Sequence, residues 1–270
     1  MMIKGIDVSY AQGNIDWKKV KAAGVQFAMI RVGWCYNNGA LKMDTLFKQH
    51  INGAIAAGID VGIYLYSYAT TPQAARKAAQ ETIKAIKGYK ISYPIAFDIE
   101  YESIYTNGSK GNNTAITKAF LDEIEKSGHY AMLYCSKDFL DSHLSPAELT
   151  AYDKWIAQYA SQCTCKHPYG MWQYTGSGRV NGISGNVDCN YAYKDYRRII
   201  QNMKKEPSQK DKLPYTVIVN APKEELSKKG YFVFMSGGKV CVGKFATQSE
   251  AQNTLLDLKS KGYSGKIGKW

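Results

Sequence analysis

The chain has 270 residues, of which 45% are hydrophobic, and a formal net charge of +12. This length fits one large domain or two unequal ones with a packed core. No run of 18 apolar residues predicts a membrane-spanning helix. The positive charge favours polyanionic partners, such as nucleic acid, an anionic membrane or an acid-bearing cell wall. No cluster of basic and interleaved aromatic residues predicts nucleic-acid binding.

Metal and cofactor chemistry has no signature in the sequence. The four histidines are isolated from one another, and Cys163 and Cys165 lack the two-residue gap of a zinc or redox motif. Neither a P-loop nor a dinucleotide-binding glycine fingerprint is present. We therefore predict no metal and no cofactor. The six cysteines are predicted to be reduced packing residues, with a disulfide among Cys163, Cys165 and Cys189 left open.

Strand and helix patterns alternate along the first 206 residues. The predicted strands are Ile3–Val8, Phe27–Val32, Asp60–Tyr66, Pro94–Glu100, Tyr130–Cys135, Trp155–Tyr159, Met171–Tyr174 and Asn186–Asp188. The predicted helices are Asn14 (as cap) to Ala23, Asp44–Ala57, Pro72–Gly88, Thr114–Ser127, Asp138–His143, one from Pro146, and Tyr193–Met203. Five alternations followed by three strands with little helix predict an α/β fold, an irregular TIM-like (β/α)5β3 barrel.

Two carboxylates close the predicted strand Pro94–Glu100. Side chains alternate along a strand, so Asp98 and Glu100 point the same way with Cα atoms roughly 6–7 Å apart. Partial desolvation and mutual repulsion raise the pKa of at least one of the two acids. A general acid that works near neutral pH requires such a raised pKa. The alternative is a strand end at the surface, where the acids only cap a helix or pair with lysines.

Polar residues also stand at the ends of the other predicted strands. In a β/α barrel, catalytic side chains lie at the C-terminal ends of the strands. The polar residues at those ends are Asp7, Arg31, Tyr66, Asp98, Glu100, Gln158, Gln173 and Asp188. Their shared position favours a catalytic interpretation of Asp98 and Glu100. Asp7 could instead be a strand-end cap, and Asp188 a solvated loop acid.

Seven segments follow one another along this part of the chain: Gly5–Gly13, Ala28–Arg31, Gly62–Tyr68, Phe97–Glu100, Trp155–Tyr159, Met171–Tyr174 and Val187–Asp188. Together they resemble the family 25 glycoside hydrolases, the Chalaropsis-type lysozymes of bacteria and phages. The resemblance implies a barrel of five β/α units plus extra strands. It also implies muramidase activity on the β-1,4 bond between N-acetylmuramic acid and N-acetylglucosamine in peptidoglycan.

The resemblance implies roles for four acids. It makes Glu100 the general acid that protonates the leaving glycosidic oxygen. Asp98 becomes its negative partner, either a nucleophile or a group that steers the substrate's own acetamide into attack. Asp7 and Asp188 match the other cleft acids, which would position Asp98 and the substrate and keep Glu100 protonated by repulsion. A close carboxylate pair suits retention of configuration.

Aromatic residues of the matching segments are candidates for binding the glycan, because the apolar C–H faces of sugars stack on tyrosine and tryptophan. Tyr66 and Trp172 are the preferred stacking residues, and Gln158 is a further substrate-binding candidate. For the other aromatic candidates core packing is an equal alternative; these are Tyr64, Trp155, Tyr159 and Tyr191. Arg31 could bond a cleft acid or a substrate carboxylate, or form a structural salt bridge.

The last quarter of the chain reads as a second domain. Residues 204–214 have the composition of a linker, which places a barrel domain at 1–203 and a small domain at 215–270. Residues 207–270 carry 11 basic and 5 acidic residues, a net charge of +6. Strands are predicted at Tyr215–Asn220, Tyr231–Met235, Lys239–Gly243 and Gly265–Gly268, with a short helix after Pro222 and a longer one at Thr247–Ser260. This order predicts a small α+β, βαββαβ-like domain.

The segments Tyr215–Val219, Gly230–Val233 and Val240–Phe245, with the helix Thr247–Leu258, resemble SPOR-type repeats, which bind peptidoglycan glycan strands. The first helix of this copy is shorter than the SPOR pattern expects. A basic wall-binding module held by teichoic acids is the alternative, and a solubilising appendage is another.

We therefore predict a peptidoglycan-degrading lysozyme with a C-terminal wall-binding module. The first residues enter a strand without a signal peptide, so we expect a phage endolysin in the host cytoplasm until lysis, or a bacterial autolysin released on lysis. Peptidoglycan is the expected partner, with teichoic acids as a further candidate and no nucleic acid. A non-catalytic glycan-binding barrel and a chitinase-like hydrolase are the alternatives, although chitinases carry aspartate where Ala96 stands.

Overall fold

The computed structural model describes residues 2–104, 108–205, 215–229, 231–236, 239–245 and 248–269. The chain forms two compact units, Met1–Asn202 and Met203–Trp270. Each unit has its own sheet and its own apolar core. Residues 206–214, which make up most of the predicted linker, lie outside the described residues.

The larger unit is built on a closed barrel. Its strands are β1 (Ile3–Val8), β2 (Phe27–Cys35), β3 (Leu41–Met43), β4 (Asp60–Ser67), β5 (Ile95–Asp98), β6 (Ala131–Ser136), β7 (Asp153–Ala157), β8 (Met171–Gly178) and β9 (Val187–Ala192). Among the described residues, eight of them close in the order β1-β2-β4-β5-β6-β7-β8-β9 because β1 pairs with both β2 and β9. β9 runs antiparallel to both its neighbours. β3 was not predicted and pairs only with β2.

Helices follow the first five barrel strands. They are α1 (Trp17–Ala22), α2 (Phe47–Ala56), α3 (Pro72–Ala85), α4 (Lys110–Lys126) and α5 (Lys137–His143), and α6 (Tyr196–Lys205) follows β9. Between β7, β8 and β9, where every residue is described, the chain forms no α-helix. This arrangement confirms the predicted irregular TIM-like (β/α)5β3 barrel.

Capping side chains explain two of the helix starts that were predicted wrongly. α1 is capped by Asp16, whose carboxylate accepts from a main-chain amide of the first turn, and not by Asn14. α4 begins at Lys110 rather than at Thr114, because the Ser109 hydroxyl caps it. Of the segment predicted as a polar loop at 107–113, residues 110–113 form the first turn of α4, and Asn107 lies outside the described residues.

Strand alternation builds two apolar layers in the barrel. On β2, Phe27 and Met29 belong to the cluster inside the barrel, whereas Ala28 and Ile30 pack with the helices outside it. Toward the C-terminal ends of the parallel strands the inward positions become polar. These positions carry Asp7, Arg31, Asp98 and Gln173, and β9 adds Asp188 beside Asp7. The candidate functional residues therefore collect at this end of the barrel.

Gly33 occupies a bulge in β2, where the register with β4 shifts. Its φ is 154°, and a Cβ at this position would clash with the main-chain carbonyl oxygen of Lys42 in β3. We expect Gly33→Ala to lower the free energy of unfolding by about 2–4 kcal/mol, since relief requires β3 to leave β2. Urea denaturation measures the loss. Gly111→Ala in α4, where a Cβ meets nothing, is the control, and an equal effect in both variants would contradict the close approach.

The smaller unit is an antiparallel sheet with two helices. Its elements are β10 (Tyr215–Val219), α7 (Lys223–Lys228), β11 (Val233–Ser236), β12 (Lys239–Phe245), α8 (Gln248–Ser260) and β13 (Gly265–Lys269). The strands lie in the order β11-β12-β10-β13, and Val217 and Val242 pack with Leu226 of α7 and Leu255 of α8. This element order confirms the predicted α+β, βαββαβ-like arrangement.

Some predicted features fall outside the described residues. They are Gly237 and Gly238 of the predicted hairpin turn, Thr247 at the predicted helix start, and Gly230. All six cysteines carry free thiols; Cys163 and Cys165 are half-buried and the others are buried. In the part of the chain that the structure describes, no helix has both the length and the apolar character needed to cross a bilayer.

Candidate active site

Asp98 and Glu100 form a hydrogen-bonded pair of carboxyl groups at the end of β5. Asp98 is the last residue of the strand and is only 3% exposed. Its Oδ1 is buried without a hydrogen-bond partner among the described residues. Glu100 is half-buried and lines two cavities. The pair thus offers one deep and one accessible carboxyl group to the same cleft.

Asp7 and Asp188 form a second pair of acids. They lie opposite each other in the register of β1 and β9, and their side chains are hydrogen-bonded. Asp7 is buried, and its Oδ2 accepts from Gln173 Nε2 at 2.9 Å and from Asn190 Nδ2 at 2.8 Å. The Asn190 amide is itself fixed, because its Oδ1 accepts from Trp155 Nε1 at 2.7 Å. Two oriented amides therefore hold one oxygen of Asp7.

Tyr134 and Gln173 connect the two acid pairs. Tyr134 lies opposite Asp98 in the register of β5 and β6, and its hydroxyl is hydrogen-bonded to Glu100. The same hydroxyl lies 3.0 Å from Gln173 Oε1, so its single proton can be donated to either of these two acceptors. Gln173 in turn donates to Asp7, so a continuous polar network runs from β5 through β6 and β8 to β1. Tyr159 also donates to Gln173 Oε1, at 3.2 Å.

Burial raises the pKa of all four acids. The pKa of Asp7 rises to about 8, first through burial and then through the charge of Asp188. Burial, and then the charge of Glu100, place the pKa of Asp98 well above its usual value. Burial and the charge of Glu102 raise the pKa of Glu100. Near neutral pH the Asp7–Asp188 pair therefore retains a proton, and burial favours the protonated forms of Asp98 and Glu100 as well.

The two carboxyl groups of the Asp98–Glu100 pair differ in burial, and both have a raised pKa. Their hydrogen bond raises the pKa of Asp98 and lowers that of Glu100. Ionisation is easier for Glu100 because it is closer to solvent. Within the described residues, no group of three or more histidine, cysteine and acidic side chains is arranged to hold a metal ion.

Tyr64 and Tyr66, two of the predicted substrate-binding residues, lie close to these acids. The Tyr64 ring meets the Trp155 ring edge-on with centroids 6.0 Å apart. Burial raises its pKa, and the charges of Asp7 and Asp98 add to the effect. Tyr66 lies opposite Asp98 in the register of β4 and β5. Both tyrosines therefore face the cleft.

Arg31 combines the two roles that the sequence left open. Its Nε donates to Asp44 Oδ2 at 2.9 Å, and a terminal nitrogen of the guanidinium lies 2.8 Å from the same oxygen. Asp44 is buried and lies between β3 and α2, so it is not the helix start that the sequence predicted. The guanidinium also lines a cavity beside Glu100. Arg31 thus forms a structural salt bridge and borders the cleft.

Two predicted substrate-binding residues do not join the acids. Trp172 precedes Gln173 in β8 and so points to the other side of the strand, where it is 6% exposed. Its indole N–H donates to the main-chain oxygen of Gln158 at 2.8 Å. Gln158 follows β7 and lines a cavity beside Glu100, but its side-chain amide is bonded to Thr164. Trp172 is therefore a packing residue of the outer face.

The sequence analysis missed three residues of the network or its border. Asn190 follows Asp188 by two positions, so strand alternation alone places both on one face. Tyr134 stands at the end of β6, where a polar side chain on the inward face was the available signal. Glu102 accepts from the Tyr66 hydroxyl at 3.4 Å, and no spacing rule identifies it because it lies beyond the end of β5.

Asp7→Asn is expected to raise the free energy of unfolding by a few kcal/mol at pH 8 and to change it little at pH 4. Unfolded Asp7 ionises near 3.8, whereas folded Asp7 ionises near 8. Between these values the folded state holds a proton that the unfolded state has lost, so Asp7 lowers stability increasingly as pH rises. Asparagine can accept from both amides and donate to Asp188, and it has no proton to lose. Urea unfolding at pH 4, 6 and 8 tests this; a pH-independent difference would contradict the raised pKa.

The barrel and its acids define the class of protein. Paired carboxyl groups with raised pKa values at the C-terminal ends of barrel strands are typical of a glycoside hydrolase. The sequence profile of the glycosyl hydrolases family 25 matches residues 6–183. Since this match covers more than half of the chain, the chain belongs to that family.

Similar proteins include lysozymes, autolysins and endolysins. The chain is 29% identical over 187 residues to an autolytic lysozyme of Clostridium acetobutylicum, covering 69% of this chain and 54% of that protein. The modular autolysin LytC from Streptococcus pneumoniae shows 30% identity and a TM-score of 0.63, covering 71% of this chain and 47% of LytC. LytC has also been solved with a synthetic peptidoglycan ligand. The CTP1L endolysin shows 27% identity and a TM-score of 0.63, covering 74% of this chain and 70% of that one. The chain spans only about half the length of the autolytic lysozyme and of LytC.

Proposed function

We propose that the protein is a peptidoglycan muramidase that hydrolyses the β-1,4 bond between N-acetylmuramic acid and N-acetylglucosamine. The observation that carries this proposal is the hydrogen-bonded Asp98–Glu100 pair beside an open cleft, where burial raises the pKa of both acids. A proton donor and a carboxylate side by side are what cleavage of a glycosidic bond requires. Family membership and the similarity to an autolytic lysozyme support the choice of peptidoglycan.

Glu100 is the general acid in this proposal. It is the accessible member of the pair and lines the cavities on both sides of the site, so a glycosidic oxygen can reach it. A glycosidic oxygen placed there accepts a hydrogen bond, which favours the proton on Glu100. Positive charge that develops on the sugar ring favours an ionised Asp98. Substrate binding therefore favours the arrangement with the proton on Glu100 and the negative charge on Asp98.

Asp98 acts on the sugar ring from the deeper position. It either attacks the anomeric carbon or steers the substrate's acetamide into attack, and in both cases it must be ionised. A direct hydrogen bond between the two carboxyl groups leaves no room for the water that an inverting pair holds in a gap of roughly 6.5–9.5 Å. We therefore expect retention of configuration. Asp7 and Asp188 hold the network behind this pair, and their charge opposes ionisation of Asp98 and Glu100.

The glycan is held by the aromatic and polar walls of the cleft. Tyr66 and Tyr64 face it from β4, and Arg31 borders it from β2. Gln158 borders the smaller cavity, of about 290 Å³, with Tyr101 and Tyr159. Trp172 has no part in this proposal because its ring packs on the outer face of β8.

The small unit acts as a SPOR-like wall-binding domain at 215–270, joined by a linker at 204–214 to a catalytic barrel at 1–203. Its βαββαβ order and its positive charge support this role. A cavity of about 720 Å³ at one end of its sheet is bordered by Asn220, Lys239 and Lys266. Sedimentation with walls before and after removal of teichoic acid tests the ligand. Binding that disappears with teichoic acid would contradict recognition of the glycan.

The biological role in this proposal is that of a phage endolysin, which stays in the host cytoplasm and reaches the wall at lysis. The similarity to the CTP1L endolysin supports this role. Expression in host cells with and without a pore-forming protein tests it. Lysis without the pore-forming protein would contradict the role.

Digestion of purified Gram-positive walls tests the activity. Turbidity loss reports cleavage, and borohydride reduction followed by mass spectrometry identifies the sugar at each new reducing end. Reduced N-acetylmuramic acid is the expected end. Reduced N-acetylglucosamine or free stem peptide would assign a different bond, and walls that bind the protein but stay intact would make the barrel a binding module.

A further inference from the structure

The end of the barrel opposite the cleft carries a cluster of exposed basic side chains. In a β/α barrel, the N-terminal ends of the parallel strands and the C-terminal ends of the helices share this end. The exposed basic residues there include Lys4 of β1, Lys21 of α1, Lys90 before β5, and Arg197 and Arg198 of α6. We call these five residues the base patch. The proposed bond cleavage uses none of the five.

Side-chain contacts place two members of the base patch at the start of β4. A terminal nitrogen of the Arg197 guanidinium lies 3.5 Å from Asp60 Oδ2. Lys21 Nζ donates to the main-chain oxygen of Gly58, two positions before Asp60, at 2.9 Å. A residue of α1 and a residue of α6, far apart in the sequence, therefore meet beside the same strand end.

Neighbouring strand ends bring two more members to Asp60. The Asp60 main-chain N–H donates to the Gln26 oxygen at 3.0 Å, and the Gln26 N–H donates to the Lys4 oxygen at 2.9 Å. On the other side, the Ser92 hydroxyl donates to Asp60 Oδ1 at 2.9 Å, and Lys90 lies two positions before Ser92. The base patch is therefore one continuous surface across the starts of β1, β4 and β5.

Helix α6 turns charges outward at this surface. Tyr196 and Ile200 are buried in the cluster inside the barrel, so the apolar face of the helix is already covered. Arg197 and Arg198 lie on its exposed side, and the Arg198 main-chain N–H donates to Asp195 Oδ1 at 3.0 Å. Binding at a membrane surface needs an apolar helix face that enters the lipid. A helix that presents charges suits a polyanion in water better.

The two ends of the barrel carry charges of opposite sign. The five basic side chains of the base patch outnumber Asp60 and Asp195, which contact it. At the other end, the cleft holds the four acids of the site and Glu102, while Arg31 is compensated by Asp44 at 2.8 Å. A polyanion attracts the basic end and repels the acidic one. It would therefore bind the barrel with the cleft facing away from it.

We propose that the base patch is a docking surface for teichoic acid, the phosphodiester polymer of Gram-positive walls, and that docking there leaves the cleft open to the glycan. Repeated phosphates match a surface of separate ammonium and guanidinium groups, because each group can donate to a different phosphate. Glycan rings are bound mainly by stacking on aromatic side chains, which the base patch does not consist of. The proposal adds a wall contact on the barrel itself to the one proposed for the small unit.

Binding of the full chain to purified poly(glycerol phosphate) tests the proposal. All chains compared carry Glu100→Gln, so that hydrolysis plays no part. A base variant combines Lys21→Gln, Arg197→Gln and Arg198→Gln. We expect it to bind the polymer about 10-fold more weakly at low salt, because several weak ionic contacts are lost together. At about 0.5 M salt the difference should nearly vanish, since exposed charges are then screened.

The matched control removes the same number of positive charges elsewhere on the barrel. It combines Lys42→Gln, Lys48→Gln and Lys77→Gln, at exposed lysines of β3, α2 and α3. Its binding should stay within about 2-fold of the parent chain. Lys4→Gln with Lys90→Gln is a second base variant with an expected loss of about 3-fold, and it carries the test if the first does not fold.

Rates in chains that keep Glu100 give a second measurement. The base variant should digest walls that carry teichoic acid more slowly than the control does. On walls from which teichoic acid has been removed, and on soluble glycan oligosaccharides, the two should have equal rates. Wild-type protein that cuts no wall would remove the proposed function and leave the polymer binding as it is, so the two failures are distinguishable.

Three results would overturn the docking surface. Equal weakening of polymer binding in the base variant and the control would show only an effect of total charge. A loss of wall binding that is the same with and without teichoic acid would assign the base patch to the glycan. Tighter binding to phosphatidylglycerol vesicles than to poly(glycerol phosphate), lost in the base variant, would assign it to a membrane.

Discussion

Glu100→Gln should lower the rate of wall hydrolysis by about 10²-fold or more. Glutamine matches the size and shape of the half-buried side chain and can still bond its neighbours. It has no proton to give to the leaving glycosidic oxygen at any pH. Substrate contacts are kept, so KM should stay within a few-fold of the wild-type value while kcat falls. Initial rates of turbidity loss and counts of new reducing ends measure the two quantities.

The effect of Glu100→Gln on stability can be measured separately from its effect on catalysis. The pKa of Glu100 is raised by burial, so its ionisation opposes folding as pH rises above the ordinary value of a glutamate. An amide removes that penalty, and we expect Glu100→Gln to be at least as stable as wild type at pH 7. Thermal unfolding checks this before any rate is compared.

Glu148→Gln provides the matched control. Glu148 is an accessible acid, 55% exposed at its side chain, whose Oε2 lies 3.7 Å from Lys118 Nζ. The same chemical change there should leave the rate within about 2-fold of wild type. A Glu100→Gln variant that keeps more than a tenth of the wild-type rate would remove Glu100 from the general-acid role and point to another proton donor.

The barrel was predictable because its signal is repeated along the chain. Apolar strands such as Phe27–Val32 and Tyr130–Cys135 recur between amphipathic segments, and chain connectivity leaves few ways to arrange such alternation. Apart from the missed strand β3, the errors lie at element ends. There, single caps such as Asp16 and Ser109 decide the boundary, and a local hydrogen bond outweighs the apolar period.

The candidate site was predictable only where its geometry is local. Asp98 and Glu100 are two positions apart, so strand geometry alone brings them together. The pairing of Asp7 with Asp188 depends on β9 closing the barrel antiparallel to β1, and no local pattern contains that information. For this pair the family resemblance supplied the expectation.

Trp172 shows why a motif does not fix the role of each of its residues. Trp172 and Gln173 are neighbours on one strand, so only one of them can face the interior. An aromatic ring suited to stacking made Trp172 the favoured choice. The structure gives the inward position to Gln173, because its amide donates to Asp7 and accepts from Tyr134 at the same time. The buried hydrogen-bond network therefore takes the inward position of the strand, and the Trp172 ring packs on the outer face.

Asp98→Asn is expected to reduce kcat by at least as much as Glu100→Gln, about 10²–10³-fold, because it affects both acids. Asparagine cannot offer negative charge to the cationic transition state. Its amide N–H can donate to Glu100, and Glu100 then ionises without a second negative charge beside it, so the proton needed for catalysis is lost at a lower pH than from the wild-type pair. The group that should supply the proton is therefore ionised over a wider pH range.

The easier ionisation of Glu100 distinguishes Asp98→Asn from a variant that loses only the transition-state charge. The alkaline limb of the pH profile of kcat/KM should move to lower pH in Asp98→Asn, whereas loss of the transition-state charge alone would lower the whole profile without moving the limb. Asp138→Asn, on an exposed acid in the first turn of α5, is the control and should keep both the rate and the limb. An unshifted limb would show that Glu100 holds its proton without help from Asp98. The polar network through Tyr134 and Gln173 would then be the main support of the general acid, and its hydrogen bond to Glu100 the next one to remove.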